Sequence, residues 1–429
     1  MDRITQQKLT REKRKSQTCK VYEAKIDCSH LSKSVKSHFN GLFREAKWFY
    51  NYCLSHDNVD NVDTKVKQVP VKVNDEYEDR KLSILSSQAK QGIKTRLFGS
   101  LASLHSLKNN GHKVGQLKFK SQINSIPLKQ FNNSYYIRNG KLRIQGMKQW
   151  LRVNGLEQIP KDAEIACATL IRKSGDYYIH ITTYVEKQEQ VIPEAVIGID
   201  FGCETQLAFS NGVKVQFQIS PSKRLRRLDR KIMRKKRAKS NNKIKDQAKR
   251  QKEYEYLTNK KKDIRHKIVS AITKNYKYVC FQDESIHAWA MSGHGKKIQH
   301  SGIGGIISDL KHKSYTPLEV DKFFPSTKLC PNCGNKNILL ISDRVYECEC
   351  GFSMDRDIKS ASCIQEEGLK QIPVEYRKFT LGEISTSAFM ESLVKISGVN
   401  VSKLESLSQE APTFQRKVEC GTPYSTSLG

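Results

Sequence analysis

Four cysteines stand in two close pairs within the stretch CPNCGNKNILLISDRVYECEC, as Cys330 and Cys333 followed by Cys348 and Cys350. Four thiolates can surround one zinc ion tetrahedrally, and closing such a site supplies folding free energy to a segment too small for its own core. The second pair is spaced C-x-C, tighter than the usual C-x2-C, and incidental reduced thiols are the alternative interpretation. Because four thiolates leave no open position on the metal, the pattern predicts a structural zinc.

Carboxylates form a second group of candidate ligands. Asp200 ends the apolar run VIGID, Asp283 and Glu284 follow the apolar run YVCFQ, and Asp355 and Asp357 open the segment DRDIKSASCIQEEGL. Taken singly, each acid suits a helix cap or a salt bridge. Taken together, after strand or strand–helix patterns, they suit two Mg²⁺ ions about 3.5–4 Å apart, which activate water and stabilise the leaving oxygen of a phosphodiester. The pattern indicates a metal-dependent nuclease.

A large positive charge points to a polyanionic partner. The chain carries 75 Lys and Arg against 44 Asp and Glu, a formal net charge of +31. Residues 222–267 hold 21 of the basic and 5 of the acidic residues, a net of +16. A charge run is usually a solvated surface, but this density on two amphipathic helices predicts a track for a phosphate backbone.

Composition also bounds the class of protein. The sequence has no apolar run of about 18 residues that would predict a membrane span, and its N-terminus lacks the apolar region of a signal peptide. We therefore expect a cytoplasmic protein with no membrane partner. In that compartment, the 12 cysteines of the chain argue against a disulfide framework.

The elements that must position these groups are predicted from periodicity. Apolar residues spaced three and four apart predict helices over 31–53 and 81–105, and alternating runs with Asn-Gly turns predict an antiparallel β-barrel that holds them as an insert. Irregular connections are predicted at 55–80 and over SIHAWAMSGHGKKIQHSGIGG.

The expected chain is multidomain, with α/β and β parts. Its predicted divisions are a basic flexible arm at 1–17, a barrel at 18–30 and 112–190, a helical insert at 31–111, a nuclease part at 191–320 with basic helices at 222–275, a thiol segment at 321–352, a second nuclease part at 353–368 and a polar tail at 369–429, whose composition indicates disorder.

The order of motifs carries a resemblance to a known family. VIGIDFG, the basic helices, YVCFQDESIHAW, FFPSTKLCPNCG with CEC, and DRDIKSA together resemble TnpB-type transposon nucleases and, equally, the compact type V CRISPR effectors descended from them. The match covers about residues 190–365 and is weaker over the N-terminal half, at HLSKSVKSHFNGLFREAKWFYNYCL and GQLKFKS. The resemblance implies a wedge-type barrel with a helical recognition insert, then an RNase H-like (RuvC) nuclease domain with an inserted zinc ribbon.

Carried over to this sequence, the resemblance implies that Asp200, Glu284 and Asp357 are the catalytic carboxylates and hold two Mg²⁺ ions. Asp283 is left as a rival of Glu284, and Asp355 is expected to be a helix cap. The resemblance also implies a guide RNA and a double-stranded DNA target as partners, in a prokaryotic cytoplasm and on nucleoid DNA. The side chains expected to contact nucleic acid are Arg224, Arg227, Arg230, Lys231, Arg234, Lys235, Arg237, Lys118, Lys120, Tyr50, Asn51 and Gln91.

The sequence departs from the family pattern at two motifs. It reads QDES where E-D-L is common, and it has Lys359 and Ser360 in place of Asn and Ala. A lysine two residues after a metal ligand is expected either to perturb metal binding or to contact DNA.

The sequence predicts an RNA-guided, Mg²⁺-dependent DNA endonuclease that reads a short flanking motif, while guide pairing reads the target. The alternatives are a guide-dependent DNA-binding protein that has lost cleavage and a RuvC-like resolvase or transposase that acts without RNA. The sequence leaves monomer and homodimer open.

Overall fold

The computed structural model describes residues 3–187, 192–235, 240–340, 343–373 and 386–403. The chain divides into two compact units, residues 1–189 and 190–429. Within the described residues, no helix is both long enough and apolar enough to cross a membrane.

The first unit alternates strands with three helices. In chain order its elements are α1 (Arg3–Lys15), β1 (Gln17–Ile26), α2 (Lys33–Leu54), a 3-10 turn (Val59–Asn61), β2 (Gln68–Val73), β3 (Glu76–Lys81), α3 (Ser87–Asn109), β4 (Ser125–Leu128), β5 (Tyr135–Arg138), β6 (Lys141–Ile144), β7 (Leu151–Asn154), a 3-10 turn (Leu156–Gln158), β8 (Glu164–Lys173) and β9 (Asp176–Glu186).

Seven of these strands form one antiparallel sheet in the order β4-β8-β9-β1-β7-β6-β5. Strand β9 pairs with β1 along the whole of β1, and β8 and β9 form a second long hairpin. The hydroxyl group of Tyr135 on β5 donates to the carbonyl oxygen of Ala166 on β8, 3.0 Å away, so a side chain joins the two sides of the sheet across its interior. The expected barrel is observed as this nearly closed, barrel-like sheet.

The helices between β1 and β4 begin where the sequence supplies a cap. The hydroxyl group of Ser32 accepts a hydrogen bond from the amide of Val35 (3.3 Å), and that of Ser86 accepts one from Ala89 (3.2 Å). The apolar faces of both helices join the core of the sheet, as the helical periodicity predicts. The core side chains on these faces are Phe39, Leu42, Phe43, Ala46, Phe49, Ala89, Ile93 and Leu97.

Two predictions for this unit are wrong. In place of a flexible arm, residues Arg3–Lys15 form α1, and Lys13 and Arg14 at its end bind the carboxylate of Glu164 at 2.8 and 2.5 Å. In place of an irregular connection, β2 and β3 form a hairpin with Asn74 and Asp75 at its tip. Both tip residues have positive φ, 47° and 73°, a conformation that Asn and Asp tolerate better than other non-glycine residues.

The second unit contains the remaining elements. In chain order they are β10 (Val196–Phe201), β11 (Leu207–Phe209), β12 (Val213–Gln216), α4 (Lys223–Met233), α5 (Asn241–Asn275), β13 (Tyr278–Gln282), α6 (Ile286–Trp289), a π-type turn (Ala290–His294), α7 (Gly295–Ser301), α8 (Ile303–Lys313), β14 (Thr316–Val320), β15 (Val345–Glu347), β16 (Ser353–Asp355), α9 (Arg356–Leu369), α10 (Thr386–Val394) and β17 (Asn400–Lys403).

Six strands of this unit form a mixed sheet in the order β14-β13-β10-β11-β12-β17. Strands β10, β13 and β14 are parallel, and their connections contain helices, as parallel pairing requires. Strands β11, β12 and β17 continue the sheet in antiparallel pairing. Helices α5, α8 and α10 share one apolar core with the sheet, and α9 shares another with β13 and β14. Both faces of the parallel strands are therefore covered.

Two further predictions are wrong in part. The stretch SIHAWAMSGHGKKIQHSGIGG is not a linker, because it forms α6, α7 and the start of α8, and Ile303 and Ile306 are buried. The C-terminal segment is not disordered throughout: α10 buries Phe389 and Leu393, and β17 pairs with β12. The rest of the predicted tail, residues 374–385 and 404–429, lies outside the described residues.

Candidate metal centres

The four thiols meet at one point. The sulfur atoms of Cys330 and Cys350 lie 3.7 Å apart, those of Cys333 and Cys348 lie 3.6 Å apart, and all four lie within 4.8 Å of one another. Zn–S bonds of about 2.3 Å in tetrahedral geometry place sulfur atoms about 3.8 Å apart, so the cluster fits a zinc ion. In the described part of the chain, no other group of three or more His, Cys, Asp or Glu donors gathers this tightly.

Two backbone turns hold the thiols in place. Gly334 and Gly351 have φ of 77° and 85°, a region that glycine enters without a Cβ penalty. Their amides donate to the carbonyl groups of Cys330 and Cys348 at 3.0 and 2.9 Å. The amide of Cys350 lowers the pKa of the Cys348 thiol, which favours the thiolate form that binds metal. The cluster is compatible with the structural zinc that the spacing predicts.

The second candidate centre is the group of carboxylates. Asp200 points toward it because side chains alternate between the two faces of β10. Ile199 joins the core under α5 and α8, so Gly198 and Asp200 point to the opposite face, where α9 lies. A Cβ atom on Gly198 would stand 2.1 Å from the carbonyl oxygen of Ala361 on α9, so glycine allows the helix to pack directly on the strand. Asp357 lies one helical turn before Ala361. This close packing brings its carboxylate near enough for its charge to act on Asp200.

The acids of this centre repel one another. Burial, and then the negative charges of Asp357 and Glu284, raise the pKa of Asp200 to about 8. Burial and the charge of Asp283 raise the pKa of Glu284 to about 7. The negative charges of both other predicted catalytic acids therefore act on Asp200. A divalent cation bound among these carboxylates would relieve the repulsion.

The donor set of the carboxylate centre fits Mg²⁺, which prefers oxygen ligands. The carboxylate oxygens of Asp200, Glu284 and Asp357 do not gather within 4.8 Å as the thiols do, judged on the described residues. The three oxygen-donor side chains are compatible in chemistry with Mg²⁺.

The structure separates the two rival acids after β13. The Asp283 side chain is 55% exposed and binds the ammonium group of Lys311 at 2.9 Å. Glu284 is half-buried and its charge acts on Asp200. The geometry favours Glu284 as the acid of the centre.

Asp355 caps α9, as the sequence predicts. Its Oδ1 accepts hydrogen bonds from the amides of Asp357 (3.1 Å) and Ile358 (3.2 Å), the geometry of an N-cap. Its other oxygen accepts a hydrogen bond from Nζ of Lys214 at 2.7 Å, and the same Nζ lies 3.5 Å from an oxygen of Asp357.

Lys214 is a residue of the centre that sequence reasoning misses. Asp200 pairs with Ala208 on β11, and Ala208 pairs with Lys214 on β12, so the three lie in one row across the sheet. The small Ala208 side chain leaves room for Lys214 to extend toward α9. The Asn211–Gly212 turn fixes the register of this hairpin, and it is the sequence signal from which Lys214 could have been found.

Of the two alternatives expected for Lys359, contact with DNA does not fit the structure. Lys359 is fully buried, and its Nζ donates to the carbonyl oxygens of Ser326, Thr327 and Leu329 at 2.8, 2.6 and 3.1 Å. Burial lowers the pKa of Lys359 to about 8, so the group stays mostly protonated at neutral pH. Its three donors are directed to the thiol segment, although the charges of Lys359 and Asp200 still interact.

The two basic helices are held together by the acids among them. Asp246 of α5 is buried and binds Lys235 at 2.6 Å and Lys231 at 3.3 Å. Glu253 of α5 binds Arg224 at 3.2 Å. These ion pairs connect α4 to α5, so Lys235, Lys231 and Arg224 have a structural contact besides any contact with nucleic acid.

The other basic residues predicted on α4 stay on its surface. Leu225, Leu228 and Ile232 are buried, which leaves the arginines on the exposed side of the helix. Arg227, Arg230 and Arg234 are exposed, and Arg237 lies outside the described residues.

In the first unit, the predicted contacts divide into exposed and supporting groups. Lys118, Lys120 and Gln91 are exposed. The side-chain amide of Asn51 donates to the carbonyl group of Lys120 (3.0 Å) and accepts from its amide (2.9 Å). Tyr50 is buried, and its ring lies 4.2 Å from Nζ of Lys120. Asn51 and Tyr50 therefore support the segment that carries Lys118 and Lys120. This differs from the direct contact with nucleic acid that the sequence predicts for them.

Sequence reasoning also misses Phe119. This side chain is 65% exposed between Lys118 and Lys120, on the segment that Asn51 holds. An exposed aromatic ring between two cations is the combination that stacks on nucleotide bases. The signal was present in GQLKFKS, as an apolar residue flanked by lysines on both sides.

Comparisons with known proteins agree with the motif order. Residues 309–364 match the family model "Cas12f1-like, TNB domain". The chain is 24% identical over 263 residues to a protein of Streptomyces pristinaespiralis named "Putative RNA-guided DNA endonuclease", a match that covers 59% of this chain and 65% of that protein. It is 28% identical over 151 residues to "Putative RNA-guided DNA endonuclease InsQ" of Escherichia coli (strain K12), covering 34% of this chain and 37% of that protein.

The family model spans the thiol cluster, Asp357 and Lys359. The chain itself spans 65% and 37% of the two relatives that it matches. These matches confirm the resemblance found in the motifs: residues 309–364 are similar to a Cas12f1-like TNB domain, and the chain resembles the two proteins named putative RNA-guided DNA endonucleases.

Proposed function

We propose that this protein is an RNA-guided, Mg²⁺-dependent DNA endonuclease that recognises a short flanking motif and cuts guide-matched DNA at a single RuvC-like site. One observation carries the proposal: β10 and the first turn of α9 bring Asp200 and Asp357 together, and Glu284 acts on the same carboxylate. The names of the two relatives support guide RNA and target DNA as partners.

The topology of the second unit supports an RNase H-like fold. Antiparallel strands β11 and β12 follow β10 as a hairpin, and parallel strands β13 and β14 lie on its other side. In this arrangement Asp200 lies near the middle of the sheet and Glu284 follows the neighbouring strand. The thiol segment enters between β14 and α9, as an insertion before the last catalytic acid.

The carboxylates would bind the catalytic ions in this scheme. Asp200, Glu284 and Asp357 would hold two Mg²⁺ ions, which when bound activate a water molecule and stabilise the leaving oxygen of the phosphodiester. Lys214 keeps Asp355 and Asp357 oriented from the side of β12 and offsets part of their negative charge. Asp355 fixes the first turn of α9 by capping it.

Nucleic acid would bind the exposed cations of each unit. Arg227 and Arg230 on α4, with Arg234 at its C-cap, offer a charged surface to a phosphate backbone. Lys118 and Lys120 offer a second such surface, with Phe119 available to stack on an unpaired base. The ammonium group of Lys359 binds backbone carbonyls, which favours the nuclease over a binding protein that has lost cleavage.

Replacing Asp200 tests this function. Asp200→Ala is expected to reduce plasmid cleavage by at least about 10³-fold, because a carboxylate that would hold the catalytic ions is lost, while guide-dependent DNA binding changes less than about threefold. Asp263→Ala, at an exposed acid of α5, is the matched control and should cut normally.

Two results would contradict the proposal. Cleavage by Asp200→Ala at the rate of the unsubstituted protein would remove the active site from this position. Sequencing of the nucleic acid that co-purifies should return one abundant structured RNA, and full activity without RNA would favour a resolvase or transposase.

A further inference from the structure

The ammonium group of Lys359 is enclosed by the thiol segment. Lys359 lies in the first turn of α9 and is fully buried. Its three N–H donors are matched by three carbonyl oxygens, those of Ser326, Thr327 and Leu329. These carbonyls belong to the short backbone segment that ends at Cys330, so the lysine binds the chain directly before the first thiol pair.

The ring of Tyr346 covers another side of the same cation. Its centroid lies 4.0 Å from Nζ of Lys359, within cation–π distance. Tyr346 lies on β15, two residues before Cys348, and its hydroxyl group donates to the carbonyl oxygen of Lys328 at 3.2 Å. Lys359 therefore contacts the backbone directly before Cys330 and the ring of Tyr346, which lies two residues before Cys348.

A buried cation depends on the oriented groups around it. Moving the carbonyls would leave a charge unpaired in the interior, which is strongly unfavourable. A metal bound by the two thiol pairs would hold segment 326–329 and Tyr346 in these positions. Lys359 is also two residues from Asp357 on one helix, so displacement of the lysine would disturb the turn that carries this carboxylate.

We propose that Lys359 is a positioning residue through which the metal-bound thiol segment fixes the first turn of α9, and with it the carboxylate of Asp357. The proposal rests on the proposed function only in that Asp357 serves a nuclease centre. Metal bound to the thiols then has two effects: it folds its own segment, and it orders a ligand of the carboxylate centre.

Hydrogen exchange on the full-length protein tests this coupling without cleavage or nucleic acid. The unsubstituted protein and Lys359→Met are each measured with zinc bound and after removal by a chelator, and amide protection is read over residues 358–362. Helix α8 (Ile303–Lys313) provides an internal reference. In the unsubstituted protein, zinc removal should lower protection of α9 about tenfold relative to α8.

In Lys359→Met with zinc bound, the α9 amides should already exchange about tenfold faster, and zinc removal should add less than a further twofold. Lys370→Met, the same substitution at an exposed lysine after α9, is the matched control and should keep the full response to zinc. A second readout, the Mg²⁺ concentration for half-maximal cleavage, should rise in Lys359→Met and stay unchanged in Lys370→Met.

Two outcomes would overturn the coupling: unchanged α9 protection after zinc removal from the unsubstituted protein, or an undiminished zinc response in Lys359→Met. If Lys359→Met does not fold, Tyr346→Phe, which deletes the hydroxyl group that bonds to Lys328 and interacts with the Cys330 and Cys348 thiols, should weaken the zinc response while zinc content stays unchanged. An unaltered response would count against the proposal. Because exchange is read without DNA, a failed cleavage test of Asp200 and a failed coupling test are distinct results.

Discussion

The thiol cluster and the carboxylate centre differ in where their ligands come from. The four thiols belong to one short segment, and two glycine turns and the β15–β16 pair bring the sulfur atoms within 4.8 Å of one another. The acids come from three distant places in the chain, the end of β10, the end of β13 and the start of α9, and they are spaced more widely. One centre is built by local backbone geometry and the other by tertiary packing.

This difference has a chemical counterpart. Four thiolates saturate a zinc ion and leave no position for substrate, which suits a structural role. Carboxylates contributed by three separate elements would leave metal coordination positions open for water and a phosphate oxygen. The thiol cluster should therefore tolerate changes to the sheet, whereas the carboxylate centre should fail when any one of its three supports moves.

Replacing Glu284 should give the largest difference in effect between the carboxylate centre and the thiol cluster. Glu284→Gln is expected to lower cleavage about 10²–10³-fold, because a charged ligand of the metal site becomes neutral, while zinc content stays at one ion per chain. Cleavage kinetics and metal analysis on the same sample measure both effects. The matched control is Asp283→Asn, at the exposed acid paired with Lys311, where the loss should stay under about threefold. A larger loss in the control than in Glu284→Gln would reverse the assignment.

Replacing Gly198 should break the carboxylate centre through packing alone. In Gly198→Ala the new methyl group would meet the carbonyl oxygen of Ala361 at 2.1 Å, so α9 must move away from β10. Cleavage should fall about tenfold or more, since even a 1 Å displacement of catalytic groups is costly. Zinc content should not change.

Gly304→Ala on α8 is the control for that substitution. The added methyl group there meets Ile286 at an ordinary 3.5 Å, so activity and zinc content should both stay as they are. Normal cleavage by Gly198→Ala would show that the first turn of α9 does not need this close contact.

The smallest expected effect is a pH-dependent gain in the thermal stability of the Asp200→Asn variant. Because the folded pKa of Asp200 is raised from 3.8 to about 8, the metal-free folded state holds a proton that the unfolded state has lost between these values. Stability of the metal-free protein therefore falls as pH rises from about 4 to about 8. The Asn side chain of Asp200→Asn does not ionise, so this variant should not lose stability as the pH rises. The substitution should therefore raise Tm by several degrees at pH 8 and not at pH 4.

Added Mg²⁺ sharpens that measurement. It should raise the Tm of the unsubstituted protein at pH 8 and have little effect on Asp200→Asn, because one ligand is missing. Thermal melts at the two pH values with and without Mg²⁺ provide the comparison. A lower Tm for metal-free Asp200→Asn at pH 8 would contradict the proposed repulsion among the acids.

Much of the local structure could be predicted from the sequence. Asp355 caps α9 as expected, the Asn-Gly turns close hairpins, and Leu225, Leu228 and Ile232 form the buried stripe of α4. Such features depend on residues a few positions apart, so one segment contains the whole signal. Helix α1 and strand β17 were missed because each depends on a distant partner, Glu164 for α1 and β12 for β17.

The sequence by itself determined the spacing of the thiols, the apolar strands that end in Asp200 and before Glu284, and the large basic excess. Only the tertiary structure shows that Asp283 pairs with Lys311 while Glu284 is half-buried, that Lys214 lies beside Asp355, and that Lys359 is buried against the thiol segment. The physical reason is distance along the chain. Which carboxylate turns inward, and which carbonyls meet a lysine some 30 residues away, depends on how α9 packs on β10, and no single segment specifies that contact.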